Sequence, residues 1–183
     1  QRQIDKFDAI GGAAILINVK NGEIISAASN PSFDLNNNIL IDDERFNRYS
    51  VGTYEMGSTF KLINSAIALD SKKVSLEDKF DITTPLKIGR HTINDFESIK
   101  KFENPVNLSQ ILIHSSNIGS ALIAQKIGPE IQKSYMEKLG LTTKLKLPFP
   151  EVSKPQINQN WNNLRTMTIG FGHGISVSPL QLT

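Results

Sequence analysis

A serine and a lysine three residues apart, Ser58 and Lys61 in the run Gly57-Ser58-Thr59-Phe60-Lys61, open a strongly apolar stretch, Leu62-Ile63-Asn64-Ser65-Ala66-Ile67-Ala68-Leu69. No Gly or Pro interrupts that stretch, so it predicts a helix over roughly 58–71. A helix this apolar is expected to be buried on nearly every side. Ser58 then falls in the first turn, where free backbone N–H groups and the positive end of the helix dipole favour a developing negative charge. Lys61, at i+3, shares a face with Ser58 and can reach its hydroxyl. A hydroxyl nucleophile needs an adjacent base, and a lysine can serve if burial makes its neutral form accessible. Taken alone, most Ser-x-x-Lys pairs are a helix cap followed by a solvated lysine. A second cluster, Ser115-Ser116-Asn117, lies between two apolar stretches downstream and raises the catalytic reading.

The 183 residues suit one domain with a substantial core. A formal net charge of +2, without a basic stripe, gives no argument for nucleic acid or an anionic membrane surface. The absence of cysteine excludes disulfides and thiolate metal sites and leaves the compartment open. No stretch approaches the roughly 20 apolar residues that span a bilayer. Gln1 to Phe7 reads as the tail of a helix, and Ser178-Pro179 as the capped start of another, so the chain is expected to be a piece of a longer protein.

Ala13-Ala14-Ile15-Leu16-Ile17 within Gly11 to Val19 predicts a strand buried on both faces. An Asn21-Gly22 turn returns it as a second strand, Ile24 to Ser29, which Asn30-Pro31 ends. A polar loop runs from Ser32 to about Arg45, and a small hairpin is expected around Leu86 to Ile93. Asn107-Leu108-Ser109-Gln110 has the form of a capping box, opening a helix with Leu108, Ile111 and Leu112 inward. Four consecutive polar residues, His114 to Asn117, favour a break with a fresh N-cap over one continuous helix. Pro129 begins a further helix that Gly140 ends, and residues 141–163 are loop-like.

With these residues assembled, the chain resembles the transpeptidase domain of a class B penicillin-binding protein, most closely the septal, cell-division type. The resemblance extends over essentially all of it, residues 1–183, as a partial domain. Gly12 to Ile24 is similar to the family's opening hairpin, and Phe46-Asn47-Arg48 to an Asn-Arg element upstream of the nucleophile. Tyr54-Glu55-Met56-Gly57-Ser58-Thr59-Phe60-Lys61 resembles the family's Glu-Pro-Gly-Ser-Thr-Phe-Lys, with Met56 at the usual proline. Gly170 to Leu182 matches a further signature block. The family's Lys-Thr-Gly does not occur in this chain.

The resemblance implies an incomplete α+β fold of the penicillin-binding-protein and serine β-lactamase type: a mostly helical lobe plus the N-terminal hairpin, with the C-terminal strands missing. The first strand would then present an open edge, expected to be capped by a second copy of the chain or by a displaced segment. The resemblance also implies roles. Ser58 would be the acyl-accepting nucleophile, and Lys61 would take its proton. Ser115 would pass a proton towards the leaving group. Asn117 would hold the substrate's peptide carbonyl while bonding Lys61. The Ser58 N–H would supply half the oxyanion hole, the other half coming from the strand that bears Lys-Thr-Gly. Implied partners are peptidoglycan stem peptides ending in D-Ala-D-Ala, β-lactams, a septal glycosyltransferase and other division proteins, with no nucleic acid. The implied location is the periplasmic face of the inner membrane, held by an anchor outside this chain. No cofactor or metal is implied.

Other features have simpler readings. Gly170-x-Gly172-x-Gly174 is expected to serve close backbone packing, since no phosphate-loop Lys-Ser/Thr follows it. His91, His114 and His173 lack metal spacing. Trp161, amid four asparagines, is expected to be a partly buried anchor. Two alternatives remain at this level: a class D-like β-lactam hydrolase or sensor, disfavoured by the Asn-Arg element and the Gly170–Leu182 block, and a non-catalytic division scaffold, disfavoured by the intact Ser58, Lys61, Ser115 and Asn117.

Overall fold

A computed structural model describes residues 1–32, 36, 46–96 and 103–183. Apart from Ser32 and Asn36, the polar loop expected between Ser32 and Arg45 lies outside the described residues. The chain divides into two compact units, Gln1–Tyr54 with Gly140–Gln156 and Ser176–Thr183, and Glu55–Leu139 with Ile157–Ile175.

The first unit begins with a short helix α1 (Arg2–Lys6) and an antiparallel hairpin of β1 (Gly12–Asn18) and β2 (Glu23–Asn30). Ala14 pairs with Ala28, and a bulge between Leu16 and Ile17 shifts the register before the turn. The expected hairpin is present, but its burial is not. Leu16 is 57% exposed and Ile25 59%. A two-stranded ribbon has no third strand to share its faces with, so apolar composition alone does not bury it. Among the described residues β1 pairs only with β2, and no further strand pairs with its other edge. The Asn-Arg element is structural. Asn47 Oδ1 accepts from the N–H groups of Tyr49 and Ser50, both at 3.2 Å, making an Asx-type turn. Arg48 is buried and packs so closely on Gly11 that a Cβ there would collide with the guanidinium. Ser178 caps α7 (Pro179–Leu182), as its Ser-Pro start suggests. Gln181 Nε2 donates to the carbonyls of Gly140 (2.6 Å) and Thr143 (2.7 Å).

The second unit is built on α2 (Phe60–Asp70), α3 (Leu108–His114), α4 (Asn117–Ile127), α5 (Pro129–Lys138) and α6 (Asn163–Ile169). Two small ribbons accompany them: β3 (Lys79–Phe80) with β6 (Val106–Asn107), and β4 (Leu86–Ile88) with β5 (His91–Ile93). The centre is α4, which is buried along Ile118, Ala121, Ile123, Ala124 and Ile127 and packs against α2 and α6. Ile93 of β5 joins Ile118, Ala121, Met167 and Phe171 in one cluster, fastening the β4–β5 ribbon to the helices.

Helix α2 corrects one expectation. Its buried face carries Phe60, Lys61, Asn64, Ser65, Ile67 and Ala68, while Leu62 is 62% exposed and Ala66 and Leu69 are also exposed. The aliphatic stripe of Leu62, Ala66 and Leu69 points outward, and the buried face mixes apolar residues with polar ones that other elements engage. Asn64 Nδ2, for example, donates to the Ser120 carbonyl of α4 at 3.0 Å.

Candidate active site

Ser58, Lys61, Ser115 and Asn117 all belong to the second unit. Ser58 sits in a 3₁₀ turn, Gly57–Thr59, that runs directly into α2, and it is exposed. Such a turn is a common tightening of a helix start and leaves N–H groups unpaired by the helix. Two contacts seat it. A Cβ at Gly172 (φ +86°) would collide with the Gly57 carbonyl, so the loop after α6 approaches this turn backbone to backbone. Glu55, three residues before Ser58, accepts from the Gly174 N–H at 2.6 Å, and its other oxygen lies 3.1 Å from His173 Nδ1. The close-packing reading of the glycine run is thus met at Gly172.

Lys61, one turn on, is 2% exposed. Burial pushes its pKa down from 10.5 to about 8, partly opposed by the negative charge of Asp95. The ammonium donates to the Ser115 carbonyl at 2.5 Å and to Ser115 Oγ at 2.9 Å. Ser115 Oγ in turn donates to Ser58 Oγ at 3.1 Å. A chain of hydrogen bonds therefore runs Lys61 to Ser115 to Ser58, and Lys61 meets Ser58 through Ser115 rather than directly.

Ser115 is there because the helices break where the polar cluster suggests. Asn107 and Gln110 form the expected capping box at the start of α3, each side chain accepting from the other's backbone N–H at 2.9 Å. Leu108 and Ile111 are buried, whereas Leu112 is only half-buried. The helix ends at Ser115 in the left-handed conformation (φ 55°, ψ 44°), and Ser116 caps α4 by accepting from the Gly119 N–H at 2.8 Å.

The bond from Lys61 to Asn117 Oδ1 that the resemblance implies is not formed among the described residues. Asn117 Nδ2 donates instead to the Asn94 carbonyl at 3.1 Å. The donors of Lys61 are directed at Ser115, whose left-handed backbone turns both carbonyl and hydroxyl towards it. A groove of about 330 Å³ runs beside Asn117, lined among others by His91, Asn94, Thr168, Phe171 and His173. Trp161 is partly buried, its indole N–H donating to Gln132 Oε1 at 3.1 Å, so it acts as an anchor. Among the described residues no three His, Cys, Asp or Glu side chains converge as a metal site.

Residues 12–183 match the family model described as the penicillin binding protein transpeptidase domain. The chain belongs to that family. It is 36% identical over its whole length to the probable peptidoglycan D,D-transpeptidase FtsI of Caulobacter vibrioides, covering 31% of that protein. It is 29% identical to the probable peptidoglycan D,D-transpeptidase PbpC of Pseudomonas aeruginosa, again over its whole length and covering 32% of that protein. The chain thus spans about a third of the length of these relatives. Among solved structures, the transpeptidase domain of Burkholderia pseudomallei penicillin-binding protein 3 superposes with a TM-score of 0.82 at 26% identity, over 99% of this chain and 50% of that one. The fold expectation, a partial α+β penicillin-binding-protein domain, agrees with that likeness.

Proposed function

We propose that this penicillin-binding transpeptidase domain carries out acyl transfer on peptidoglycan stem peptides ending in D-Ala-D-Ala, as a septal D,D-transpeptidase. The observation that carries the proposal is the chain from buried Lys61 through Ser115 Oγ to exposed Ser58 Oγ. With Lys61 protonated, the hydrogen bonds point at Ser58 and make its oxygen an acceptor. With Lys61 neutral, the direction reverses: Ser115 Oγ donates to the amine and accepts from Ser58 Oγ. The Ser58 proton can then leave as its oxygen attacks the penultimate D-Ala carbonyl carbon.

The same relay returns a proton to the departing D-Ala nitrogen as the C–N bond breaks. Ser58 is left as an ester, which an amine from a second stem peptide resolves into a cross-link with release of the serine. The groove beside Asn117 provides room for the peptide, and the Asn117 side chain sits at its edge. The Ser58 N–H, in the 3₁₀ turn, would supply half of the oxyanion hole. β-Lactams would acylate the same serine. The proposed partners are the stem peptides and a septal glycosyltransferase with other division proteins, on the periplasmic face of the inner membrane where the substrate lies.

A fluorescent penicillin tests the reading on the full-length protein. Ser58→Ala should abolish covalent labelling with the fold intact, and Lys61→Ala should slow it severely because the serine loses its base. Equal labelling of wild type and Ser58→Ala would refute the mechanism. Rapid release of the bound penicillin would point to a hydrolase instead.

A further inference from the structure

Asp95, two residues beyond β5, belongs to none of the motifs that mark the site. Its carboxylate nevertheless accepts three hydrogen bonds from a single turn. Oδ2 takes the Ser116 hydroxyl at 2.6 Å, and Oδ1 takes the backbone N–H groups of Asn117 at 2.5 Å and Ile118 at 3.0 Å. These are opening N–H groups of α4, which a helix leaves without internal partners and where negative charge is favoured. Ser116 Oγ accepts from the Gly119 N–H, so carboxylate and hydroxyl together close off the start of the helix. The neighbouring Asn94 carbonyl holds the Asn117 side chain at 3.1 Å. Two consecutive residues thus fix both the backbone and the amide of Asn117. Ser115, in its left-handed conformation, is the residue immediately before this clamp.

We propose that Asp95 is a positioning residue of the acyl-transfer site: by clamping the start of α4 it holds Ser115 and Asn117 in place against Ser58 and Lys61. The inference rests on the functional reading above. The competing role is a helix cap that contributes stability and nothing else. The two differ in what the rate does below the unfolding transition, because a small misplacement of a reacting group costs rate even where the fold survives.

The test measures the first-order acylation step by a penicillin at saturation, on the full-length protein, well below each variant's unfolding temperature. Asp95→Ala is expected to slow acylation at least tenfold. Asp95→Asn keeps an oxygen for the Asn117 and Ile118 N–H groups and is expected to recover most of that loss. Asn107→Ala, which removes the cap of α3 instead, should lower the unfolding temperature and leave the rate unchanged. An Asp95→Ala protein that acylates at the wild-type rate, whatever its unfolding temperature, overturns the inference. So does an Asp95→Asn protein as slow as Asp95→Ala. Should Asp95→Ala fail to fold, Asp95→Glu takes its place, since the extra methylene displaces the clamp: slowed acylation supports the proposal and a wild-type rate overturns it. Labelling of Ser58→Ala reports separately on the functional reading, so failure of that reading and failure of this inference are distinguishable.

Discussion

The burial of Lys61 makes a quantitative demand on the pH dependence of acylation. With its pKa pushed down from 10.5 to about 8, roughly one molecule in ten holds the amine neutral at pH 7. An unshifted lysine would be neutral in only about one molecule in 3,000, so burial enriches the competent base some 300-fold. If neutral Lys61 drives proton removal through Ser115, the second-order acylation constant should rise about tenfold from pH 7 to a plateau above pH 9, with a midpoint near 8. Stopped-flow labelling with a fluorescent penicillin across pH 6–10 reads this directly. A rate flat over that range would refute the assignment of Lys61 as the base, and one still climbing through pH 10 would refute its lowered pKa. The same shift has a counterpart in stability. The unfolded chain holds the proton up to 10.5 and the folded one only to about 8, so stability should increase as pH rises between these values, by at most about 3 kcal/mol. Below pH 8 the cost of burying the ammonium is fully present. Denaturant titrations at pH 7.5 and 10 should show the increase in wild type and its loss in Lys61→Met.

Gly172→Ala should destabilise the protein by about 2 kcal/mol or more, since a Cβ at this positive φ would also strike the Gly57 carbonyl. It should slow penicillin labelling as well, because the turn it displaces carries Ser58. Gly89→Ala is the matched control, with a positive φ but nothing within 4 Å of the added methyl, and should cost only about 1 kcal/mol with labelling unchanged. Asn107→Ala should lower stability by about 1 kcal/mol through loss of the capping box, measured by thermal unfolding.

What could be read from the sequence was local. The capping box at Asn107 involves residues three apart, and the break at His114–Asn117 follows from four adjacent polar side chains that compete with helical hydrogen bonding. The glycine run signals the close backbone packing found at Gly172, although not its partner, Gly57. Asp95 was invisible to the same reasoning. It caps a helix that begins 22 residues later, and capping rules look only a few positions ahead. The exposed face of α2 is not legible in the sequence for a related reason. Apolar content predicts that a helix packs but not which face does so, and here α4 engages the side bearing Asn64. Burial of β1 failed because an apolar run reports what a strand can pack against, not what lies beside it.

The left-handed residue between α3 and α4 shows how backbone and chemistry depend on each other. Were one helix to run from Leu108 to Ile127, the N–H groups of Asn117 and Ile118 would be bonded within it and unavailable to Asp95. Ser115 would lie along the stripe of Leu108 and Ile111 instead of facing Lys61. A single residue at φ 55° ends the first helix, starts the second and turns its own carbonyl and hydroxyl to the ammonium. Glycine is the residue that backbone conformation favours, since an L side chain there costs about 1 kcal/mol. Glycine would keep the carbonyl bond to Lys61 but delete the oxygen that links Lys61 to Ser58. On the proposed mechanism, a serine at this position accepts a small backbone strain because the proton relay needs its hydroxyl. The clamp by Asp95 and Asn94 on the following turn holds the chain in that less favoured conformation.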